Sequence, residues 1–189
     1  GNMGIVEHLL EQCEEIVSDA PVNRGSVWIA EMTTKLHIAL GRPEVARGQL
    51  DVLLDQMHEG GLINNPVAHT SVHTSLGYAL AAQAEREKML NPSHRSDTIP
   101  RLRRTARRLE GKVDDLAAPQ SAAILRLLAR VSVLRDNTKQ ALTHVEAAIE
   151  HIVGYLLPLL FPPGEIGWEA IVLGNFDAPV QGYPAHHLG

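Results

Sequence analysis

His69 and His73 are the two residues of this chain whose spacing most directly suggests chemistry. They lie four residues apart in a predicted helix, so both imidazoles project from one helix face. With His144 or His151 as a third ligand they could bind zinc, as pairs of helical histidines do in zinc enzymes. However, no His-Glu-x-x-His motif occurs, and histidines satisfied at helix interfaces are the commoner case. We therefore predict no bound metal or other cofactor, and keep a metal site at His69 and His73 as an alternative.

Other catalytic groups are hard to find in the sequence. Cys13 is the only cysteine, which excludes an intramolecular disulfide. It falls among the apolar residues of the first predicted helix, and we interpret it as a buried structural thiol because a reactive thiol needs an electropositive setting. The Gly-x-Ser-x-Gly, P-loop and Gly-x-Gly-x-x-Gly motifs do not occur. The sequence therefore predicts that the protein is not an enzyme.

Positive charge is concentrated in one part of the sequence. Nine of the 17 Lys and Arg residues fall between positions 86 and 112, although the net charge of the chain is −5. Such an asymmetry could mark a surface for nucleic acid, phosphate or an acidic protein. No Phe, Tyr or Trp is interleaved with these cations, which disfavours single-stranded nucleic acid, and nucleic acid is not the expected partner. We expect a solvated helix face, paired with the acidic helix of a neighbour or of a second subunit. The basic patch consists of Arg101, Arg104, Arg107 and Arg108.

Seven helices account for most of the predicted structure. Aromatic residues make up only 4% of the chain, whereas Ala and Leu are abundant, and this composition favours close helix packing over a β-sandwich. Apolar periodicity and breakers such as Gly41-Arg42-Pro43 and Gly60-Gly61 set the helix ends. The fold class is therefore predicted to be all-α. The predicted helices span about 4–18, 22–40, 43–59, 67–90, 98–113, 119–136 and 139–157.

A recurring internal spacing groups six of these helices into three hairpins. The third hairpin reads Leu125-x2-Leu128-Ala129-x2-Ser132 and then Ala141-x3-Val145-x2-Ala148. This spacing resembles the tetratricopeptide repeat, whose first helix carries Trp-x2-Leu-Gly-x2-Tyr and whose second carries Ala-x3-Phe-x2-Ala. The resemblance covers roughly residues 22–153 and is degenerate, since the middle hairpin keeps Leu76-Gly77 and then departs from the pattern. It implies an antiparallel helical-hairpin array over residues 3–157, followed by a Pro/Gly-rich segment at 158–189.

The resemblance also implies a function. In the family the first helix of each repeat lines a concave groove that binds partners. We therefore expect a non-enzymatic regulatory module that binds a protein or peptide. The cations of the groove would bind an acidic side chain or the C-terminal carboxylate of that partner. A small-molecule sensor closed by the C-terminal segment is the runner-up, and a helical metalloprotein is a third reading. Transferred by spacing, the groove residues are Trp28, Glu31, Lys35, Thr74, Tyr78, Arg126 and Arg130.

The segment from Phe161 to Gly189 differs from the rest of the chain. It is rich in Pro and Gly, yet it contains large apolar side chains that are costly to leave in water. We expect residues 161–180 to pack on the last hairpin or on a second subunit, which leaves a homodimer open. The longest apolar run, at 152–161, is too short to span a membrane, and no signal peptide is visible, so we expect a cytoplasmic protein. The apolar residues in question include Trp168, Ile171, Val172, Leu173 and Phe176.

Overall fold

The computed structural model of the protein describes residues 3–18, 22–91 and 98–160. These residues form seven α-helices and two short 3₁₀ turns, with no β-strand among them. The predictions of an all-α fold and of seven helices are therefore confirmed. Within these ranges, no helix combines the length and the apolar character that crossing a membrane requires. The helices are α1 (Met3–Ser18), α2 (Arg24–Ala39), α3 (Pro43–Glu59), α4 (Pro66–Leu90), α5 (Thr98–Glu110), α6 (Ala118–Leu134) and α7 (Thr138–Leu160).

Local sequence explains where the helices begin and end. Asn23 caps α2, because its Oδ1 accepts a hydrogen bond from the Gly25 backbone N–H at 2.7 Å. Asn65 caps α4 in the same way through the Ala68 N–H at 3.1 Å. Between α2 and α3 the chain passes through Gly41 at φ 71°, a left-handed conformation that glycine adopts without steric cost. These polar caps and turn glycines fix the helix boundaries to within a residue or two of the predicted ones.

Two helix ends differ from the predictions. α5 ends at Glu110 instead of near Val113, since Gly111 follows and a 3₁₀ turn takes over at Val113–Asp115. α7 continues to Leu160 although we predicted a stop at Leu157 before Pro158. Pro158 lies in the last turn of α7 and cannot donate to the Gly154 carbonyl, and the helix ends two residues later.

The long helix α4 lies at the centre of the packing. It contacts α2, α3, α5 and α6, whereas α7 packs on α6 and α1 on α2. Large side chains from the surrounding helices close the core around α4, and these are completely or almost completely buried. They include Leu50 and Met57 of α3, Leu102 and Leu109 of α5, and Ile124 and Leu127 of α6.

Glycine 77 allows α4 and α6 to approach closely. The Leu127 side chain of α6 occupies the space where a Cβ on Gly77 would lie. One residue further along α4, the Tyr78 hydroxyl donates a hydrogen bond to the Ala123 carbonyl of α6 at 2.9 Å. The close packing and the hydrogen bond together fix the position of α6 relative to α4.

The helix α7 leaves much of its apolar surface exposed. It contacts α6, and its small residues Ala141 and Ala148 are buried. On the exposed side, five large apolar residues follow helical spacing and have no cover in the described part of the chain. We call these residues the α7 stripe: Leu142, Val145, Ile149, Leu156 and Leu159.

Candidate functional site

A row of half-exposed residues runs along α4 between α2 and α6. Its members recur at alternating intervals of four and three residues, which places them on a single face of the helix. Apart from one tyrosine and one glutamate, these residues are small. We call this row the α4 face; it consists of Ser71, Ser75, Tyr78, Ala82 and Glu85.

A cavity of about 320 Å³ lies at one end of the α4 face, between α2 and the start of α4. Its wall includes Trp28, which is 61% exposed, together with Val67, Ala68 and Ser71 of α4. Because this large indole is left largely in water, the cavity offers an apolar surface to a partner. Glu31 also lines the cavity.

The Glu31 carboxyl is half-buried at the cavity wall. Burial raises the pKa of Glu31 above its ordinary value, and the positive charge of Lys35 opposes this effect. Lys35 itself is exposed on α2. The predicted groove residues of α2 therefore lie at or beside the cavity.

Next to the cavity, Tyr78 forms the centre of a polar cluster between α4 and α6. The Arg130 guanidinium lies over the Tyr78 ring at 5.9 Å from its centroid, within the range of a cation–π interaction. Arg130 also holds Glu85 through two hydrogen bonds, from Nε to Oε1 at 2.9 Å and from Nη2 to Oε2 at 2.5 Å. Arg126 is exposed and near enough to Tyr78 for its charge to act on the phenol. Burial raises the pKa of the Tyr78 phenol, an effect that Arg126 and Arg130 oppose.

The position predicted for Thr74 needs correction. Thr74 is buried, and its hydroxyl donates to the Thr70 carbonyl at 2.8 Å, so its side chain does not contribute to the surface. Ser71 and Ser75 take its place on the α4 face. The sequence prediction missed these two serines, although counting back three and seven residues from Tyr78 identifies them.

The four arginines of the basic patch have different surroundings. Arg101 forms an ion pair with Asp51 of α3, with Nη1 to Oδ2 at 3.0 Å. Arg108 contacts His73 of α4, with Nη1 to Nε2 at 3.0 Å. Arg104 and Arg107 are exposed and have no ion-pair partner among the described residues.

His69 and His73 do lie together, as their spacing predicts. Their Nε2 atoms are 3.0 Å apart, and the rings meet edge to face with centroids 4.3 Å apart. An arginine only donates, so the contact of Arg108 with His73 makes His73 Nε2 an acceptor and places the proton on Nδ1. That Nδ1 is buried and has no hydrogen-bond partner in the described part of the chain.

These contacts leave little room for a metal at the histidine pair. The Arg108 guanidinium already occupies the lone pair that His73 would offer to a cation. Within residues 3–18, 22–91 and 98–160, no group of three or more His, Cys, Asp or Glu side chains is placed to hold a metal ion. The arrangement instead joins α5 to α4 through a neutral histidine.

Protonation of His73 is expected to destabilise the fold at acidic pH. Burial, followed by the nearby His69, Arg108, Arg101 and His58, lowers the pKa of His73 to about 4. Between pH 6.5 and 4 the unfolded chain therefore binds a proton that the folded chain does not, so stability falls as the pH falls. From pH 7.5 to 5 this effect amounts to roughly 2 kcal/mol of unfolding free energy.

Urea unfolding at the two pH values measures this effect. His73→Gln should remove about 2 kcal/mol of the pH dependence, and His8→Gln, which replaces an exposed histidine on α1, should retain the wild-type dependence. The raised pKa of Glu31 makes stability rise as the pH falls, which opposes the effect of His73. The test therefore compares the pH dependence of the variant with that of the wild type. Identical pH dependence in His73→Gln and wild type would show that His73 is not the group responsible.

Comparison with known proteins does not place the chain in a family. No protein-family model matches it, and searches of curated proteins and of solved structures give no match.

Proposed function

We propose that the chain is a tetratricopeptide-like array of helical hairpins that binds an extended peptide and has no catalytic activity of its own. The peptide lies along the α4 face, with α2 on one side and α6 on the other. Each helix contacts the next one along the chain, and α4 also contacts both α2 and α6. Contacts of this kind support three hairpins, α2–α3, α4–α5 and α6–α7, whose first helices share one surface.

The observation that carries this proposal is the continuity of two binding features along α4. The cavity beside Trp28 reaches Ser71, and the polar cluster begins at Tyr78. Seven residues of helix separate these two positions, or about 10 Å along the helix axis. An extended peptide covers about 10 Å with three residues. One short peptide can therefore fill the cavity with an apolar side chain and reach Arg126.

Charge on this surface favours a carboxylate at the Arg126 end. Arg130 is already paired with Glu85, whereas Arg126 is exposed and forms no ion pair in the described residues. A guanidinium in this setting gains a charge-assisted hydrogen bond when a carboxylate arrives. A free peptide C-terminus or an acidic side chain supplies that group. The half-buried Glu31 at the other end disfavours a second carboxylate there.

Selection from a library of peptides displayed with free C-termini tests the proposal. Selected peptides, synthesised with a fluorescent label, should bind the full-length protein with micromolar dissociation constants. Arg126→Glu should weaken them about tenfold or more, because it replaces an attractive charge with a repulsive one. Trp28→Ala should have a similar effect through lost apolar contact.

Arg104→Glu provides the matched control for Arg126→Glu. Arg104 is an exposed arginine of α5, away from the α4 face, so this variant makes the same change in net charge without touching the proposed site. Its peptide affinity should stay within about twofold of wild type. Selected peptides that bind Trp28→Ala and Arg126→Glu as tightly as wild type would rule out this surface as the binding site.

A further inference from the structure

A second, smaller cavity lies where α5, α6 and α7 meet, and it has a volume of about 120 Å³. Three arginines line it, and we call it the three-arginine pocket. Arg103 and Arg107 lie one turn apart on α5, and Arg135 follows the end of α6. The remaining polar lining residues are Glu110, Ser132, Gln140 and His144.

The arginines of this pocket have no anionic partner in the described residues, and three of them line one cavity. Arg101 is held by Asp51, and Arg130 is held by Glu85. No ion pair or hydrogen bond engages the guanidinium groups of the pocket arginines within the described residues, and Glu110 forms no ion pair with them although it lines the same cavity. Three positive charges and one negative charge therefore share one small space, which leaves a net positive field.

We infer that the three-arginine pocket binds a phosphate group, either as the free ion or as the phosphate of a small phosphorylated molecule. Its volume of about 120 Å³ is sufficient for a group of phosphate size. A tetrahedral dianion can accept hydrogen bonds from three guanidinium groups at once, whereas a carboxylate has only two oxygens to share. The Gln140 amide and the Ser132 hydroxyl are further donors in the lining.

Titration calorimetry on the full-length protein tests this inference, with inorganic phosphate and glycerol 3-phosphate as probes at constant ionic strength in chloride buffer. We expect saturable binding of one phosphate per chain. Arg107→Gln and Arg135→Gln should each weaken it about tenfold or more, because each removes a charge-assisted pair. Tighter binding of the ester would identify a phosphorylated molecule as the natural ligand, and equal binding would identify the ion itself.

Arg104→Gln is the matched control for Arg107→Gln. Arg104 lies on the same helix, is exposed and unpaired in the described residues, and does not line the pocket. Its phosphate affinity should stay within about twofold of wild type. Arg107→Lys should bind with intermediate affinity, because it keeps the charge and loses the planar fork. Circular dichroism checks that every variant is folded.

Three results would overturn the inference. The first is the absence of saturable phosphate binding to the wild-type protein. The second is an equal loss in Arg104→Gln and Arg107→Gln, which would indicate diffuse attraction to the whole helix. The third is tight binding of a single-stranded oligonucleotide that Arg104→Gln, Arg107→Gln and Arg135→Gln weaken by the same factor. In that case a nucleic-acid surface would account for the unpaired charge.

Discussion

Deletion of residues 161–189 is expected to lower the melting temperature of the protein by roughly 5–10 °C. The reason is the α7 stripe, whose large apolar side chains are exposed in the described part of the chain. The predicted cover for this stripe, residues 161–180, lies outside the described residues. Its sequence supplies the matching apolar groups, among them Trp168, Ile171 and Phe176.

The deleted segment begins at the end of α7 and is long enough to turn back over the stripe. From Leu142 to Leu159 the stripe measures about 26 Å along the helix axis. Residues 161–176 cover about 50 Å when extended. Each large side chain buried in this way contributes about 1.5–3 kcal/mol, and the entropy of ordering the segment offsets part of the total. A net loss of about 2–3 kcal/mol on deletion corresponds to the expected change in melting temperature.

A double-mutant cycle with Ile149→Ser identifies what covers the stripe. In the full-length protein this substitution should lower stability, because Ile149 is then buried against the segment. In the deleted protein Ile149 is already exposed, so the same substitution should have little effect. Equal effects of Ile149→Ser in both proteins would contradict the prediction. Light scattering completes the test, because a dimer that dissociates on deletion would show that the segment covers a second copy instead.

Gly77→Ala is expected to destabilise the protein by about 1–3 kcal/mol, a large effect for the addition of one methyl group. The new Cβ would overlap the Leu127 side chain, which is completely buried and has little space to move. Relief of the overlap requires Leu127 to leave its rotamer within a filled core or α6 to move away from α4, and the second movement would also stretch the hydrogen bond from Tyr78 to the Ala123 carbonyl. Urea unfolding measures the free-energy change, and the fluorescence of bound labelled peptide reports damage to the α4 face.

Gly48→Ala is the control for this substitution. Gly48 also lies inside a helix, but a Cβ there would meet no other atom within 4 Å. The variant should therefore stabilise the protein by about 0.5–1 kcal/mol through the better helix propensity of alanine. If Gly77→Ala stabilised the protein as Gly48→Ala does, the close packing between α4 and α6 would be wrong.

Much of the fold could be predicted because its signals are local. Gly41 and Pro43 mark a helix end and a helix start by their own backbone preferences, and α2 ends and α3 begins beside them. The pair Leu76-Gly77, which matches the repeat spacing, lies where α4 meets Leu127 of α6. Such signals depend on residues within a turn or two of each other, which is the range that periodicity covers.

The parts that were not predicted depend on residues far apart in the sequence. The ion pairs of Arg101 with Asp51 and of Arg130 with Glu85 join residues more than 40 positions apart, and no spacing rule connects them. Spacing alone placed Thr74 on the surface because it carried no information about the neighbouring helix that buries it. The three-arginine pocket was missed for the same reason, since three helices must come together before its charges share one space.

The central position of α4 also has a consequence for how the chain folds. Most helices contact their immediate neighbours in sequence, and proteins with such low contact order fold rapidly because little loop entropy is lost before contacts form. Because α4 touches four other helices, the folding nucleus should form around it, with α3 and α5 as the nearest segments in sequence. In native-state hydrogen exchange, the amides of α4 should then exchange only through global unfolding. Helix α1 packs mainly on α2, so its amides should exchange through smaller local openings.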